Sequence, residues 1–275
     1  MASDPTHSSP GDATEHEETV RYEVEGNVAT ITIQRPAKLN SITVAMDRRL
    51  NALVYDINND DEVRAVVLTG AGGRAFSAGS DITDLQGYGT NWNYRNRMYR
   101  NEDYAIGIWR IRKPVIAAIE GYAIGGGLEM ACASDIRLAT PSSAFAAGEI
   151  KWGWHGGSGA TQHLTRLVGP GHALRLLLTG DRIDGQEAYR IGLVQELHAG
   201  EEVRARAHEL AATIASRSPI ATQATKNLVR VAESSSIEIG MAYENDSFAY
   251  LMTTRDAAEG QEAFAQKREP VFRGE

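Results

Sequence analysis

Apolar and polar positions alternate with a period of two in Val20-Arg21-Tyr22-Glu23-Val24 and again in Val28-Ala29-Thr30-Ile31-Thr32-Ile33. Alternation of this kind predicts two half-buried strands, and Glu25-Gly26-Asn27 between them supplies a hairpin turn. Past the loop Arg35-Pro36-Ala37-Lys38-Leu39-Asn40-Ser41 the spacing becomes helical, with Thr43 placed to cap a helix to about Asn58. Val63 to Thr69 predicts a buried strand that stops at Gly70-Ala71-Gly72-Gly73, and Pro114 to Ile119 predicts another. Leu128 to Ala133 consists mostly of helix formers, Asp135 to Ala139 reads as a strand, and Pro170–Thr179 and Glu201–Ser216 carry helical patterns. No strand is expected after about Glu196, so the last third is helical. Strand, turn and helix recur through the first two thirds, which predicts an α/β fold, although no repeat is visible in the residues themselves.

Two segments depart from this pattern. Residues 1–17 hold Ser, Pro, Gly, Asp and His with little to bury, and are expected to form a mobile tail. Residues 87–105 concentrate Tyr88, Trp92, Tyr94, Tyr99 and Tyr104 in a chain that is only 7% aromatic. Both an amphipathic surface helix and a substrate-lining wall fit that density.

Composition narrows the partners. A chain of 275 residues with 42% hydrophobic content is large enough to bury a full core. A net charge of −8 argues against nucleic acid or an anionic membrane surface as the main partner, while leaving room for a small anion held locally. The single cysteine, Cys132, excludes an internal disulfide and fits a reducing compartment; on a small-residue helix without a nearby base it is expected to be a buried structural thiol. No run has membrane-spanning length and no apolar signal core opens the chain, so a cytoplasmic location is expected.

The candidate chemistry lies in Gly121-Tyr122-Ala123-Ile124-Gly125-Gly126-Gly127-Leu128-Glu129-Met130, between a predicted strand and a predicted helix. Glycines there permit a tight turn and bring bare N–H groups against a ligand, and the helix start favours an oxygen that is or becomes negative. Glu129 falls in the first turn of the same helix. The alternative on this stretch alone is a glycine-rich turn with a helix-capping glutamate. A second small-residue turn, Ala75-Phe76-Ser77-Ala78-Gly79-Ser80-Asp81-Ile82, precedes it, and a third acidic turn, Gly148-Glu149-Ile150, follows it. The triple glycine lacks the G-x-G-x-x-G spacing of a dinucleotide site.

Five motifs in order and spacing resemble the enoyl-CoA hydratase/isomerase (crotonase) superfamily. They are Arg35-Pro36-x-x-Leu39-Asn40; Phe76 to Ile82; Gly121 to Glu129; Gly159-Ala160-Thr161-Gln162-His163-Leu164-x-Arg166-Leu167-Val168-Gly169; and Gly260-x-x-Ala263-Phe264-x-x-Lys267-Arg268-x-Pro270-x-Phe272. The resemblance implies a spiral of ββα units over about 18–205, and a C-terminal helical region over 206–275 that assembles trimers or hexamers. It implies an acyl-CoA thioester substrate, with no cofactor beyond the coenzyme A of the substrate and no metal. The backbone N–H groups of Ser80 and Gly126 would receive the thioester oxygen, and Glu129 and Glu149 would be the acid/base pair of a hydratase. Lys38, Ala78, Ser80, Asp81, Ile82, Thr83, Gly126 and Lys267 match the CoA- and substrate-binding positions, with Lys267 reaching a neighbouring subunit. An isomerase, which needs one carboxylate, and a non-catalytic acyl-CoA-binding protein are the other readings.

The chain departs from the family pattern at two prolines. Gly148 stands before Glu149, and Gly153-Trp154-His155-Gly156-Gly157 replaces a Gly-x-x-Pro-Gly turn. Gly for Pro permits other backbone angles and could re-aim Glu149. His155 would be either a substrate contact or a packing residue. Trp152 and Trp154 would join the aromatic segment as walls for a bulky acyl group.

Overall fold

The computed structural model describes residues 19–84 and 103–275. The expected tail over 1–17 and most of the aromatic segment 87–105 lie outside them. Strands β1 (Val20–Glu25) and β2 (Val28–Ile33) pair antiparallel around the predicted hairpin, with Glu25 opposite Val28 and Gly26 at φ 58°. Helix α1 (Val44–Asn59) begins where Thr43 was expected to cap it, its hydroxyl accepting from Met46 N–H at 3.2 Å. Strands β3 (Ala65–Gly70) and β4 (Ala75–Ser77) come next, followed by α2 (Tyr104–Arg110). Then come β5 (Val115–Ile119), β6 (Tyr122–Ile124) and α3 (Gly126–Ala133). Strands β7 (Ile136–Ala139) and β8 (Ala144–Ala146) lead through a 3₁₀ turn, Gly148–Trp152, to α4 (Ala160–Thr179). Gly169, at φ 75° and ψ 161°, breaks α4, so the predicted helix from Pro170 is its second half.

The order explains the architecture. Strands β1, β2, β3, β5 and β7, with the two-residue β10 (Glu196–Leu197), form one six-stranded sheet; β4, β6, β8 and β9 (Ile183–Asp184) form a second. From β3 onward the chain lays one strand in each sheet and then a helix, three times over. That is a ββα repeat, built into the path of the chain rather than into recurring residues. Parallel pairing of β2 to β3, β3 to β5 and β5 to β7 leaves β3 buried on both faces, which is why it is almost wholly apolar.

One core lies between the sheets and helices α1 to α4, around Ile31, Leu50, Leu68, Phe76, Ile108, Leu128 and Phe145. The opposite face of the large sheet (Val28, Ala65, Val67, Ile116, Ala118) is covered by α6 (Glu202–Ala215), which follows the short α5 (Gly185–Arg190). Val203, Ala207, Ala211 and Ala215 form the buried stripe of α6, four residues apart on one face. The expected division between 205 and 206 therefore cuts through a helix that belongs to the body. The remaining helices, α7 (Pro219–Ala232), α8 (Ile237–Leu251) and α9 (Arg255–Gln266), bury little: α8 has no buried residue, and Ile237, Met241, Phe248, Tyr250 and Phe264 are exposed. Polar pins hold this region, among them Lys226 Nζ to Asp135 (2.6 Å) and to the Lys113 carbonyl (2.8 Å).

Candidate active site

The two small-residue turns meet. A Cβ on Gly79 would lie 2.6 Å from Gly126 N, and one on Gly127 would lie 2.0 Å from the Ser77 carbonyl oxygen. Glycine is required there by the closeness of the two backbones. The first turn is braced from the Arg35–Asn40 loop. Asn40, fully buried at φ 54°, donates to the Ala71 and Ala75 carbonyls (2.9 and 2.6 Å), and Ser77 Oγ donates to the Asn40 carbonyl (2.8 Å). Ile42 N–H donates to the Gly79 carbonyl and Asp81 N–H to the Ile42 carbonyl, both at 2.8 Å. That bridge uses the groups flanking Ser80, so the Ser80 N–H points to the other side. Gly126 is the first residue of α3, where a helix N–H has no intrahelical acceptor. Among the described residues neither N–H meets a protein acceptor.

Both glutamates face the cavity beside these donors. The cavity has a volume of about 200 Å³ and is lined by Ala78, Ser80, Ile82, Tyr104, Gly126, Glu129, Glu149, Trp152, Trp154 and His155, among others. Glu129, 4% exposed, has one oxygen fixed: Oε1 accepts from Ser158 N–H at 2.7 Å and from Ala160 N–H at 3.4 Å. Burial pushes its carboxyl up to about 7 against the pull of the Ser158 N–H, with the charges of Glu149 and Asp103 adding to the rise. Glu149 sits on the 3₁₀ turn, and its Oε2 is buried without a hydrogen-bond partner among the described residues. Desolvation raises its pKa as well, while His155 opposes the rise. Two carboxyl groups with raised pKa values around one small cavity are an acid/base arrangement.

Of the two glycines that stand where the family pattern has proline, Gly156 lies against the Glu129 carboxylate, while Gly148 has room for a side chain, its Cβ falling 3.5 Å from Ile124 Cγ2. A Cβ on Gly156 would stand 2.7 Å from Glu129 Oε1, so any larger residue would displace the carboxylate. Gly153, at φ 91°, closes the 3₁₀ turn in the left-handed region. Gly148 leaves Glu149 in the cavity wall, so the expected re-aiming does not remove it from the site. His155 lines the cavity with Nδ1 2.7 Å from the Gly156 carbonyl oxygen, where the Nδ1–H tautomer donates.

Of the positions expected from the sequence, the structure brings Ala78, Ser80, Ile82, Gly126, Glu129 and Glu149 together. It does not bring in Lys38, Asp81, Thr83 or Lys267. The Asp81 carboxylate is turned to Thr83 (2.7 Å) and to the Arg35 guanidinium (2.8 Å), whose hydrogen bonds hold its pKa low. Lys38 is exposed, and Lys267 is an exposed residue at the end of α9. Cys132 is buried, and burial pushes its thiol up to about 12, so it is inert as expected.

Tyr104, from the aromatic segment, lines the cavity as one of the two readings of that segment had it, and Asp103 and Ser158, which the sequence reading passed over, also shape the site. The fully buried Tyr104 places its hydroxyl 2.9 Å from Ser80 Oγ, and a Cβ on Gly126 would meet that hydroxyl at 1.8 Å. Asp103 caps α2 and accepts from Ser158 Oγ at 2.7 Å. An aspartate directly before the apolar run Tyr104-Ala105-Ile106-Gly107-Ile108 was the available signal.

Comparison with known proteins agrees with this geometry. A family model described as Enoyl-CoA hydratase/isomerase matches residues 23–275. The short-chain-enoyl-CoA hydratase of Clostridium acetobutylicum is 36% identical over 254 residues, covering 90% of this chain and 95% of the relative. The (E)-benzylidenesuccinyl-CoA hydratase of Thauera aromatica is 35% identical over 256 residues, covering 93% and 99%. A crystal structure of enoyl-CoA hydratase from Bacillus anthracis superposes with a TM-score of 0.88 at 32% identity, covering 94% of this chain and 100% of that one. With matching architecture, matching length and the motif turns meeting at one cavity, the chain belongs to the enoyl-CoA hydratase/isomerase family.

Proposed function

We propose that the protein is an enoyl-CoA hydratase, adding water syn across the 2,3 double bond of an enoyl-CoA thioester. The observation that carries this is the pair Glu129 and Glu149, facing one cavity whose adjoining wall presents the Ser80 and Gly126 N–H groups. Those N–H groups receive the thioester oxygen. Their hydrogen bonds strengthen as enolate charge develops, and losing one such donor costs about 3–4 kcal/mol of barrier. One carboxylate takes a proton from water as its oxygen bonds to C3; the other carboxyl group delivers a proton to C2 as the enolate collapses. The charge of one carboxylate favours the proton on the other, so the pair suits a reaction needing one base and one acid together.

An isomerase needs only one of the two groups. Loss of the conjugated thioester absorbance on a panel of enoyl-CoA substrates tests hydration, and product analysis separates it from double-bond migration. No consumption of any conjugated enoyl thioester would support the non-catalytic reading. Trp152 (67% exposed) and Trp154 (48% exposed) in the cavity wall support a bulky or ring-bearing acyl group over the shortest linear one. The comparison that decides this is kcat/KM for crotonyl-CoA against longer and aryl-substituted enoyl-CoAs. Trp92, Tyr94 and Tyr99, expected to join that wall, lie outside the described residues.

The exposed apolar side chains of α8 and α9 support self-association through the C-terminal helices as a homotrimer or homohexamer. In that assembly Lys267 would approach the CoA of a neighbour. A stable monomer in sedimentation at micromolar concentration would remove both ideas. No described helix is long and apolar enough to cross a membrane, and the cytoplasm is the location we infer from the single buried thiol.

A further inference from the structure

The backbone that grips Glu129 runs through glycines just before it enters α4 at Ala160. Ser158 lies between Gly157 and Gly159, with Gly156 one residue earlier and Gly159 at φ 101°. Glycines resist no particular conformation, so the direction of the Ser158 N–H has to be set by something else. The Ser158 side chain supplies it. Its hydroxyl donates to Asp103 Oδ2 at 2.7 Å, and its N–H donates to Glu129 Oε1 at the same distance. Asp103 is itself held, since Oδ1 accepts from the Ala105 and Ile106 N–H groups at 3.2 and 3.1 Å. Asp103, Ser158 and Glu129 are each 4% exposed, so water does not compete for these bonds.

We propose that Asp103 is a positioning residue of the active site: through Ser158 it fixes the N–H that holds Glu129 Oε1, leaving Glu129 Oε2 as the oxygen presented to substrate. The inference rests on the reading of Glu129 as catalytic. A carboxylate can rotate or tilt, and a small misplacement of a catalytic group costs much of its effect. Tying one oxygen to a backbone N–H removes that freedom. Asp103 also acts as a charge. It is among the groups that raise the Glu129 carboxyl, after burial and Glu149. The other titratable groups around Glu129 are Tyr104 on α2 and Cys132 on its own helix, with His155 acting on Glu149; His163 of α4 is turned to the Trp109 ring, 6.2 Å between centroids.

Two substitutions separate the tether from the charge. S158A keeps the N–H and the Asp103 charge but loses the tether; kcat should fall about tenfold with KM within twofold, and the Glu129 limb should move, if at all, to higher pH as the pull of the Ser158 N–H weakens. D103N keeps an oxygen for the α2 cap and can donate to Ser158 Oγ, but loses the charge. Its kcat should stay within about threefold of wild type, while the Glu129 limb of the kcat–pH profile moves to lower pH. A role in folding alone would not move that limb. E129Q run alongside tests the underlying reading, since it should be nearly inactive whatever Asp103 does. With E129Q inactive, wild-type kcat in S158A or an unmoved limb in D103N overturns the inference and leaves the proposed function standing. An active E129Q overturns the reading beneath it.

Discussion

Glu129 and Glu149 share one cavity but are held in different ways. Glu129 belongs to a helix whose eight residues are all buried, and two backbone N–H groups fix one of its oxygens. Glu149 rides on a 3₁₀ turn with no buried residue, between a glycine and two partly exposed tryptophans, and its Oε2 has no partner among the described residues. Fixing a carboxylate on the core gives it a set direction and a raised pKa. Placing the other on a turn leaves it beside the exposed rings of Trp152 and Trp154 on the cavity wall. The difference teaches that one site can combine a carboxylate whose oxygen the backbone fixes with one whose buried oxygen meets no partner among the described residues.

Removing either carboxylate should cost most, and the core-held one also carries a stability effect. E129Q is expected to lower kcat by about 10²–10⁴-fold with KM little changed, measured by steady-state hydration kinetics. The same substitution should change stability in a pH-dependent way. Glu129 is raised from 4.5 to about 7 in the folded chain, so the native state keeps its proton after the unfolded chain has lost it. The proton is released only as pH rises through about 7, so stability falls between those two values. Denaturant midpoints measured from pH 5 to 8 should show that fall in the wild type and a smaller one in E129Q.

Next in size comes the donor wall. In G126A the new methyl would sit 1.8 Å from the hydroxyl of the fully buried Tyr104. Either the tyrosine or the Gly126 N–H must shift, and losing that donor costs about 10²–10³-fold in kcat. A G126A enzyme with wild-type turnover would show that this N–H does not carry the thioester oxygen.

Strands β1, β2, β3, β5 and β7 and the starts of α1 and α6 were legible in the sequence because they depend on local patterns, whereas β4 and β6 of the second sheet lie in stretches that read as turns. Thr43 caps α1 through its own hydroxyl, and β3 is apolar because both its faces are buried. Glu129 and Glu149 were legible through resemblance, and the glycines around them through their close approaches. The tether was not, because Asp103 and Ser158 are 55 residues apart and each looks ordinary alone: a helix cap and a serine among glycines. The ββα repeat was legible only through the resemblance, for a related reason. Its units share a path through two sheets, and any buried strand sequence satisfies that path. The side chain of Asp81 was not legible, because adjacency to Ser80 says nothing about which way a carboxylate turns; Arg35 and Thr83 turn it away, which leaves its backbone as the part beside the site.

The smallest effect belongs to the open side of the pair. W152A should lower kcat/KM for an aryl-substituted enoyl-CoA by about threefold to tenfold, the worth of one ring contact, and change crotonyl-CoA little. Equal losses on both substrates would mean the ring packs against the Glu149 turn rather than the acyl group.

The central claim is that the turn-held carboxylate is as necessary to hydration as the core-held one. It is tested most directly by the hydration rate of E149Q on a conjugated enoyl-CoA, followed by loss of thioester absorbance under saturating substrate. A fall of at least about 10²-fold, with KM within a few-fold of wild type, is the predicted result. Hydration at the wild-type rate would contradict it, leaving Glu129 as the single acid/base group.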